Sequence, residues 1–398
     1  MEARLQYGEH TMKLYQGWKV AIAGMGINFL VGISYAWSIY AGGLSRELGW
    51  SQAETALPYA VFMVCYAVSM VAAGRAQDRL GPRPVVTVGA LLVGSAFLFS
   101  AFIVRPLPMA LVWGGLFGTG LAACFGSVTP AAMKWFPPRS RGLVAGVVVT
   151  GIGLSAIVMS PLVHVLVQQS VTTAFMVSGV ILLIGTLLLS RWVSNPPQLG
   201  QQQSHGPPEM PWYRVLRDRR FGLLWLMFLL STTSGLTFAT HLDRIARVQA
   251  SLHEGFLTVS LFALFNAVGR PVGGIISDRI GRTRSMTLTF GFMTSMLLLS
   301  LRAHSAVLLS LAVAMIGLGY GTIFSLFPAA TVTFFGEKRF GLYYGLVFTA
   351  IGGAGIYPLL AGHLFDRLGN FTLALGLPAL FCAVAALLSL RLSRLNPQ

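Results

Sequence analysis

The sequence predicts an all-α membrane protein of twelve transmembrane helices, arranged as two six-helix halves with pseudo-two-fold symmetry. Three observations carry this. Of 398 residues, 55% are hydrophobic and only 10% are charged, with mean hydropathy +0.71; a soluble domain carries about 25% charged residues. Apolar runs of about 20 residues recur along the chain, each long enough to cross a bilayer core. A polar turn also occurs twice: GRAQDRLGPR at Gly74 to Arg83 and GIISDRIGRTR at Gly274 to Arg284.

In chain order the spans are expected at 18–41, 54–74, 85–104, 109–133, 142–167, 174–193, 221–240, 255–277, 286–301, 306–335, 341–364 and 371–390. Trp18 and Lys19 suit an interfacial anchor at the first of them. The polar start MEARLQYGEHTMKLYQ runs straight into that span, so no cleavable signal peptide is expected. Between spans six and seven lies NPPQLGQQQSHGPPEMPW, whose Pro, Gln and Gly content suits a tether and not a packed core. The expected organisation is therefore 1–194 and 221–398 as helical halves, with 195–220 as a cytoplasmic linker. The repeat extends beyond the turn at a spacing one residue shorter: Gly118 and Gly120 match Gly317 and Gly319, Phe125 matches Phe324, and Gly142 matches Gly341. Paired parallel repeats place a substrate between them near the midplane.

Charge sets the orientation. With both termini cytoplasmic, that side holds 21 of the 28 Lys and Arg residues, and only Arg46, Arg105, Arg244, Arg247, Arg302 and Arg367 lie outside. That bias predicts cytoplasmic termini. The net charge of +16 sits in short loops between spans, which excludes nucleic acid as the expected partner. Cys65, Cys124 and Cys382 all fall in apolar runs and show no disulfide or metal spacing.

The eighth span holds the residue that points to function. Arg270 stands roughly 22 Å along it and about 12 Å before Asp278. A charge there costs at least about 2.5–3.5 kcal/mol, so it requires a partner or a watered path. All twelve acids lie at span ends, in loops or in tails. A guanidinium presents a fork of donors that fits a carboxylate bidentately. The competing reading is a pairing with helix ends or other protein groups. Asn266, one turn earlier, either binds a hydroxyl or keto oxygen or only orients Arg270. Pro271 removes the helical partner of the Ala267 carbonyl, and Gly269, Gly273 and Gly274 admit a close neighbour.

The G-R-x-x-D-R-x-G-x-R turn, its second copy and the six-plus-six layout resemble the major facilitator superfamily over the whole chain. Within it, GISYAWSIY (Gly32 to Tyr40), MKWFPPRSRGLVAGVVVTGIG (Met133 to Gly153) and NAVGRP (Asn266 to Pro271) resemble the oxalate/formate antiporter and monocarboxylate transporter branch. The resemblance implies the major facilitator fold and transport of a small carboxylate, often with a proton. Two positions depart from the pattern. The stretch like FTAIGG carries a lysine in oxalate exchangers, where Ile351 stands here. The animal monocarboxylate transporters carry an acid where Asn266 stands.

The likeness also implies an aromatic wall at Tyr35, Phe125, Tyr320, Phe324 and Phe348, against the alternative of ordinary packing. Asn28, seven residues before Tyr35, is expected to share its face. Asp78, Arg79, Asp278 and Arg279 are expected to gate the inner side by bonding neighbouring helix ends. Asp366–Arg367 repeats that motif weakly and is read as structural. His164, His241 and His363 are read as polar span ends.

The expected function is secondary transport of small monocarboxylates of the lactate or pyruvate kind with a proton, by a monomer in a bacterial inner membrane. The alternatives are an oxalate/formate-type anion exchanger or a non-transporting anion sensor. No enzyme chemistry, metal or cofactor is expected, because no nucleophile grouping, ligand spacing or phosphate loop occurs.

Overall fold

The computed structural model describes residues 2–197, 210–250 and 256–395. Residues 198–209 of the expected linker and residue 255 of the expected eighth span lie outside the described residues.

Among the described residues every regular element is helical. Twelve spans follow in order: α1 Tyr15–Leu48, α2 Ala53–Leu80, α3 Pro82–Ser100, α4 Pro106–Met133, α5 Pro138–Gln169, α6 Val171–Ser190, α7 Arg219–Leu242, α8 Thr258–Ile280, α9 Arg282–Leu301, α10 Ala306–Phe335, α11 Phe340–Leu368 and α12 Thr372–Arg394. Eleven are long and apolar enough to cross a membrane by composition alone. The other, α9, begins with Arg282 and Arg284 and is rich in hydroxyls. Those hydroxyls turn back on their own helix, as Ser285 does on Gly281 and Thr294 on Phe290. Thr287 also meets Ser389 of α12 at 2.6 Å. The hydroxyls of Ser285, Thr287, Thr294, Ser295 and Ser300 are thus satisfied inside the protein, so a polar sequence still makes a membrane helix.

Helix boundaries follow local chemistry. Ser51 and Glu54 form a reciprocal capping box before α2. Gly81 and Gly281 take positive φ of 83° and 92° at the two repeated turns, a conformation that glycine adopts freely. Two spans are broken mid-membrane. In α1 the stretch Gly32–Ala36 is a 3-10 turn. In α11 the helix is interrupted at Thr349 and again before Tyr357, within the glycine-rich run T-A-I-G-G-A-G-I, and Pro358 supplies no amide hydrogen.

Small residues set how the halves meet. Beside α8, a Cβ on Gly269 would collide with the Leu318 carbonyl of α10, and one on Gly146 of α5 with the Arg270 carbonyl. So α8 is clasped between α10 of its own half and α5 of the other. The opposite ends of the bundle, Trp37–Leu48 of α1 and Tyr357–Leu368 of α11, pack chiefly within their own halves. The inter-half seal lies at the end of the bundle where α6 finishes and α7 begins.

Candidate functional site

Arg270 sits on the face of α8 that meets α5. It is 1% exposed, among the largest fully buried side chains in the protein. Its Nε donates to Asn266 Oδ1 at 3.0 Å, and Nη1 donates to the Val149 carbonyl of α5. The phenols of Tyr35, Tyr320 and Tyr66 are its electrostatic neighbours. The guanidinium also lies over the Phe324 ring, 5.2 Å from its centroid; a cation is attracted to an aromatic face at that range. One positive charge is therefore held by groups from both halves. Among the described residues its contacts are an amide, a carbonyl, phenols and a ring.

The backbone around it is repaired where proline breaks it. The Thr150 hydroxyl of α5 lies 3.3 Å from the Ala267 carbonyl, which Pro271 leaves without its helical donor. That hydroxyl also lies 2.7 Å from its own Gly146 carbonyl. The Thr322 hydroxyl of α10 lies 3.0 Å from the Gly269 carbonyl. Hydroxyls from both flanking helices thus tie down the turn that carries Arg270.

The expected aromatic residues separate into two groups. Tyr35 is 38% exposed, presented by the 3-10 turn, and Tyr320 and Phe324 contact each other edge-on at 5.2 Å. These three stand beside Arg270. Phe125 and Phe348 are each 1% exposed and pack on one another at 5.4 Å. Tyr66, Tyr344 and Phe228 complete that layer around Phe348, joining α2, α4, α7 and α11 across the seam. Within it the Tyr344 hydroxyl is buried without a hydrogen-bond partner. Ile351, at the position where the resemblance implies a lysine, is an apolar buried residue.

Asn28 packs between α1 and α5. It is fully buried, and its Nδ2 donates to the Val148 carbonyl at 2.9 Å. It braces the turn of α5 whose next carbonyl receives Arg270, one layer behind the site.

At the linker side both repeated aspartates cap a helix of the opposite half. Asp78 accepts from the Gly341 and Leu342 amides at 3.1 and 2.8 Å. Asp278 accepts from Gly142 and Leu143 at 3.0 and 2.9 Å. The first-turn amides of a helix lack internal partners and carry its positive dipole end, so a carboxylate suits them. The adjacent arginines differ from expectation: Arg79 and Arg279 are exposed. Arg282 pairs with Asp278 at 2.6 Å instead and reaches the Pro138 carbonyl. Arg141 and Glu337 add a second bridge between halves at 2.7 Å. Lys134 is enclosed beside this seal; burial pushes its ammonium pKa down, while Asp78 and Glu337 oppose the shift.

The histidines and Asp366 lie elsewhere. His241 meets the Pro358 carbonyl at 2.9 Å, His164 meets Gln168, and Asp366 lies 3.6 Å from Arg244. The contacts that the sequence reading missed are the Val149 carbonyl, Tyr66, Tyr344, Arg282 and the Arg141–Glu337 bridge. Tyr66 had a signal: it is the repeat equivalent of Asn266 at the spacing of Asp78 to Asp278.

Known proteins share this plan. The Major Facilitator Superfamily pattern matches residues 21–246 and 244–398. The oxalate:formate antiporter of Oxalobacter formigenes is 29% identical over 362 residues, covering 88% of this chain and 85% of the relative. Monocarboxylate transporter 13 of Rattus norvegicus is 28% identical, covering 74% of this chain and 70% of the relative. The transporter FucP in its outward conformation superposes with a TM-score of 0.73 at 19% identity, covering 94% of this chain and 98% of that one. Its fold is what that likeness shows. These similar proteins are transporters and not enzymes, and with the pattern matched along nearly its whole length, this multi-pass membrane protein belongs to the major facilitator superfamily.

Proposed function

We propose that this transporter moves small monocarboxylates of the lactate and pyruvate type together with a proton, by alternating access between 1–194 and 221–398, with 195–220 as the cytoplasmic tether. The observation that carries the reading is the buried guanidinium of Arg270 at the seam, contacted by both halves and by no acid among the described residues. A carboxylate offers it a full negative charge and two parallel hydrogen bonds, a stronger partner than the neutral Val149 carbonyl. Binding then exchanges an α5–α8 contact for a ligand contact and frees the halves to rock. Tyr35, Tyr320 and Phe324 cover the short organic tail; Asn266 holds Arg270 in register. Phe125 and Phe348 close the site toward the linker, and Asp78 and Asp278 latch the inner side. One cation suits one carboxylate, and Ile351 adds none.

The positive-residue bias supports cytoplasmic termini in a bacterial inner membrane, and the chain works as a monomer in this reading. The test is uptake of labelled lactate into proteoliposomes under an imposed pH gradient, with the acid side outside the direction of uptake. Faster uptake with the gradient is expected; equal rates with and without it remove the proton from the mechanism.

Exchange of one anion for another, of the oxalate/formate type, is the second reading. That no acid neighbours Arg270 among the described residues, and the similarity to an oxalate:formate antiporter, favour it. Flux that requires internal anion and ignores pH would select exchange over symport.

A further inference from the structure

The end of the linker forms a short helix, Trp212–Arg217, just before α7 enters the membrane. Its pattern is unusual for a loop. Only Val215 is buried, tucked against the protein. Trp212, Tyr213 and Leu216 are 48%, 49% and 44% exposed, with Arg214 and Arg217 exposed between them. Two residues after this helix, the chain becomes the α7 span at Arg219. The bidentate Asp218–Arg220 pair fixes the corner, with Arg220 Nη2 2.7 Å from Asp218 Oδ2. The exposed rings and guanidiniums therefore stand where the chain enters the α7 span. Trp and Tyr rings are stable at headgroup level, and arginine matches phosphate oxygens in a way that water does not.

This helix is also wired to the inner seal. Two residues before it, the Met210 carbonyl accepts a hydrogen bond from the Tyr343 hydroxyl at 2.6 Å. Tyr343 directly follows Leu342, whose amide donates to Asp78 across the seam. Tyr343 also packs on Phe335 at the end of α10, which Arg220 covers. At the other end of the linker, the Trp135 indole holds the Ser194 carbonyl at 2.8 Å.

We propose that residues 211–217 form a docking site for the headgroups of anionic phospholipids, and that this contact holds the inner seal closed through Met210 and Tyr343. Charge complementarity commits the site to an anionic lipid. Two guanidiniums beside three amphipathic or apolar side chains match a surface that presents phosphates above an acyl layer. Anchoring this helix to the leaflet fixes Met210, which fixes the start of α11 against Asp78.

The test uses the full-length protein in nanodiscs of phosphatidylcholine, with or without phosphatidylglycerol of the same acyl chains. Native mass spectrometry reads lipid retention, and hydrogen exchange reads the peptide covering Arg339 to Tyr344. The wild type is expected to retain phosphatidylglycerol about tenfold better than R214Q/R217Q. Phosphatidylglycerol is expected to slow exchange of that peptide in the wild type and not in the double variant. Y343F should keep the lipid yet lose the slowing. Equal retention by the wild type and R214Q/R217Q would overturn the site. Normal retention difference with no lipid effect on exchange, or slowing that persists in Y343F, would overturn the coupling. No substrate enters these measurements, so they stand apart from the carboxylate reading.

Discussion

Two of the helix pairs that join the halves on the linker side, α2 with α11 and α8 with α5, are built alike. Where α2 meets α11, a Cβ on Gly74 would strike the Gly341 carbonyl, and one on Gly345 the Met70 carbonyl. Where α8 meets α5, the same is true of Gly274 against Gly142 and of Gly146 against Arg270. Asp78 and Asp278 cap the opposing helix in the same way. The difference begins one turn deeper. Met70 and Tyr66 in one half stand where Arg270 and Asn266 stand in the other. The hinge is duplicated and the charge is placed once. The sealing machinery therefore needs both copies, whereas the anion site needs a single cation that bonds across to a plain carbonyl.

The largest effect expected from breaking this asymmetry is at Arg270 itself. Arg270→Ala should lower carboxylate flux by about a hundredfold or more, because a desolvated charge pair is worth several kcal/mol. Arg270→Lys should recover only part of it, since an ammonium cannot form the planar fork. Both variants are read in proteoliposomes at matched protein content. Flux within a few-fold of wild type in the alanine variant would place the anion elsewhere.

Moving the charge tests whether position or sign matters. Met70 is fully buried among apolar neighbours, so Met70→Arg adds a cation with no acid prepared for it. A loss of about 3–5 kcal/mol of stability is expected, seen as a marked fall in melting temperature. The combined M70R/R270M variant should stay inactive. Restored flux in that variant would mean that the halves are interchangeable and that the asymmetry has no functional role.

Much of this comparison was legible in the sequence, for reasons that are physical. Repeats survive as spacing, so the twin turns, the glycines and the orphaned Ala267 carbonyl were readable from residue type alone. A charge in an apolar run needs no alignment to stand out. What was not legible depends on chain direction or on backbone atoms. The carbonyl of Val149 has no signature, because every residue carries one. Arg282, and not the adjacent Arg279, reaches Asp278 because the positive φ of Gly281 turns the chain between α8 and α9. On α8, Arg279 instead faces outward. Asn28 shares a helix face with Tyr35 only while α1 stays α-helical, and the 3-10 turn at Gly32–Ala36 ends that register.

A smaller effect should come from the duplicated hinge, equally from both copies. Gly74→Ala and Gly274→Ala each force a methyl against an opposing carbonyl. Overpacking of this kind costs about 1–3 kcal/mol. Because the clash is between halves, it should favour the state open on the linker side while leaving each half folded. Labelling of cysteines introduced near Arg141 and Glu337 measures this. Unequal opening by the two variants would show that one hinge governs the seal.

The caps should separate by the least, and in a set direction. Asp78→Asn and Asp278→Asn each replace two charge-assisted amide contacts by weaker ones, costing about 0.5–2 kcal/mol. Asp278 additionally neutralises Arg282, whose side chain is 12% exposed and whose Nη1 lies 2.6 Å from the carboxylate. Asp78 has no arginine at the matching position, because Pro82 stands there. Removing Asp278 therefore leaves a largely enclosed guanidinium without its anion, so D278N should open the linker side more than D78N. In D278N/R282Q the excess should vanish, because the orphaned charge leaves with its partner. If D78N proves the more disruptive, Lys134, enclosed on that side and facing Asp78 and Glu337, carries the stronger coupling, and the two seals are less alike than their backbones.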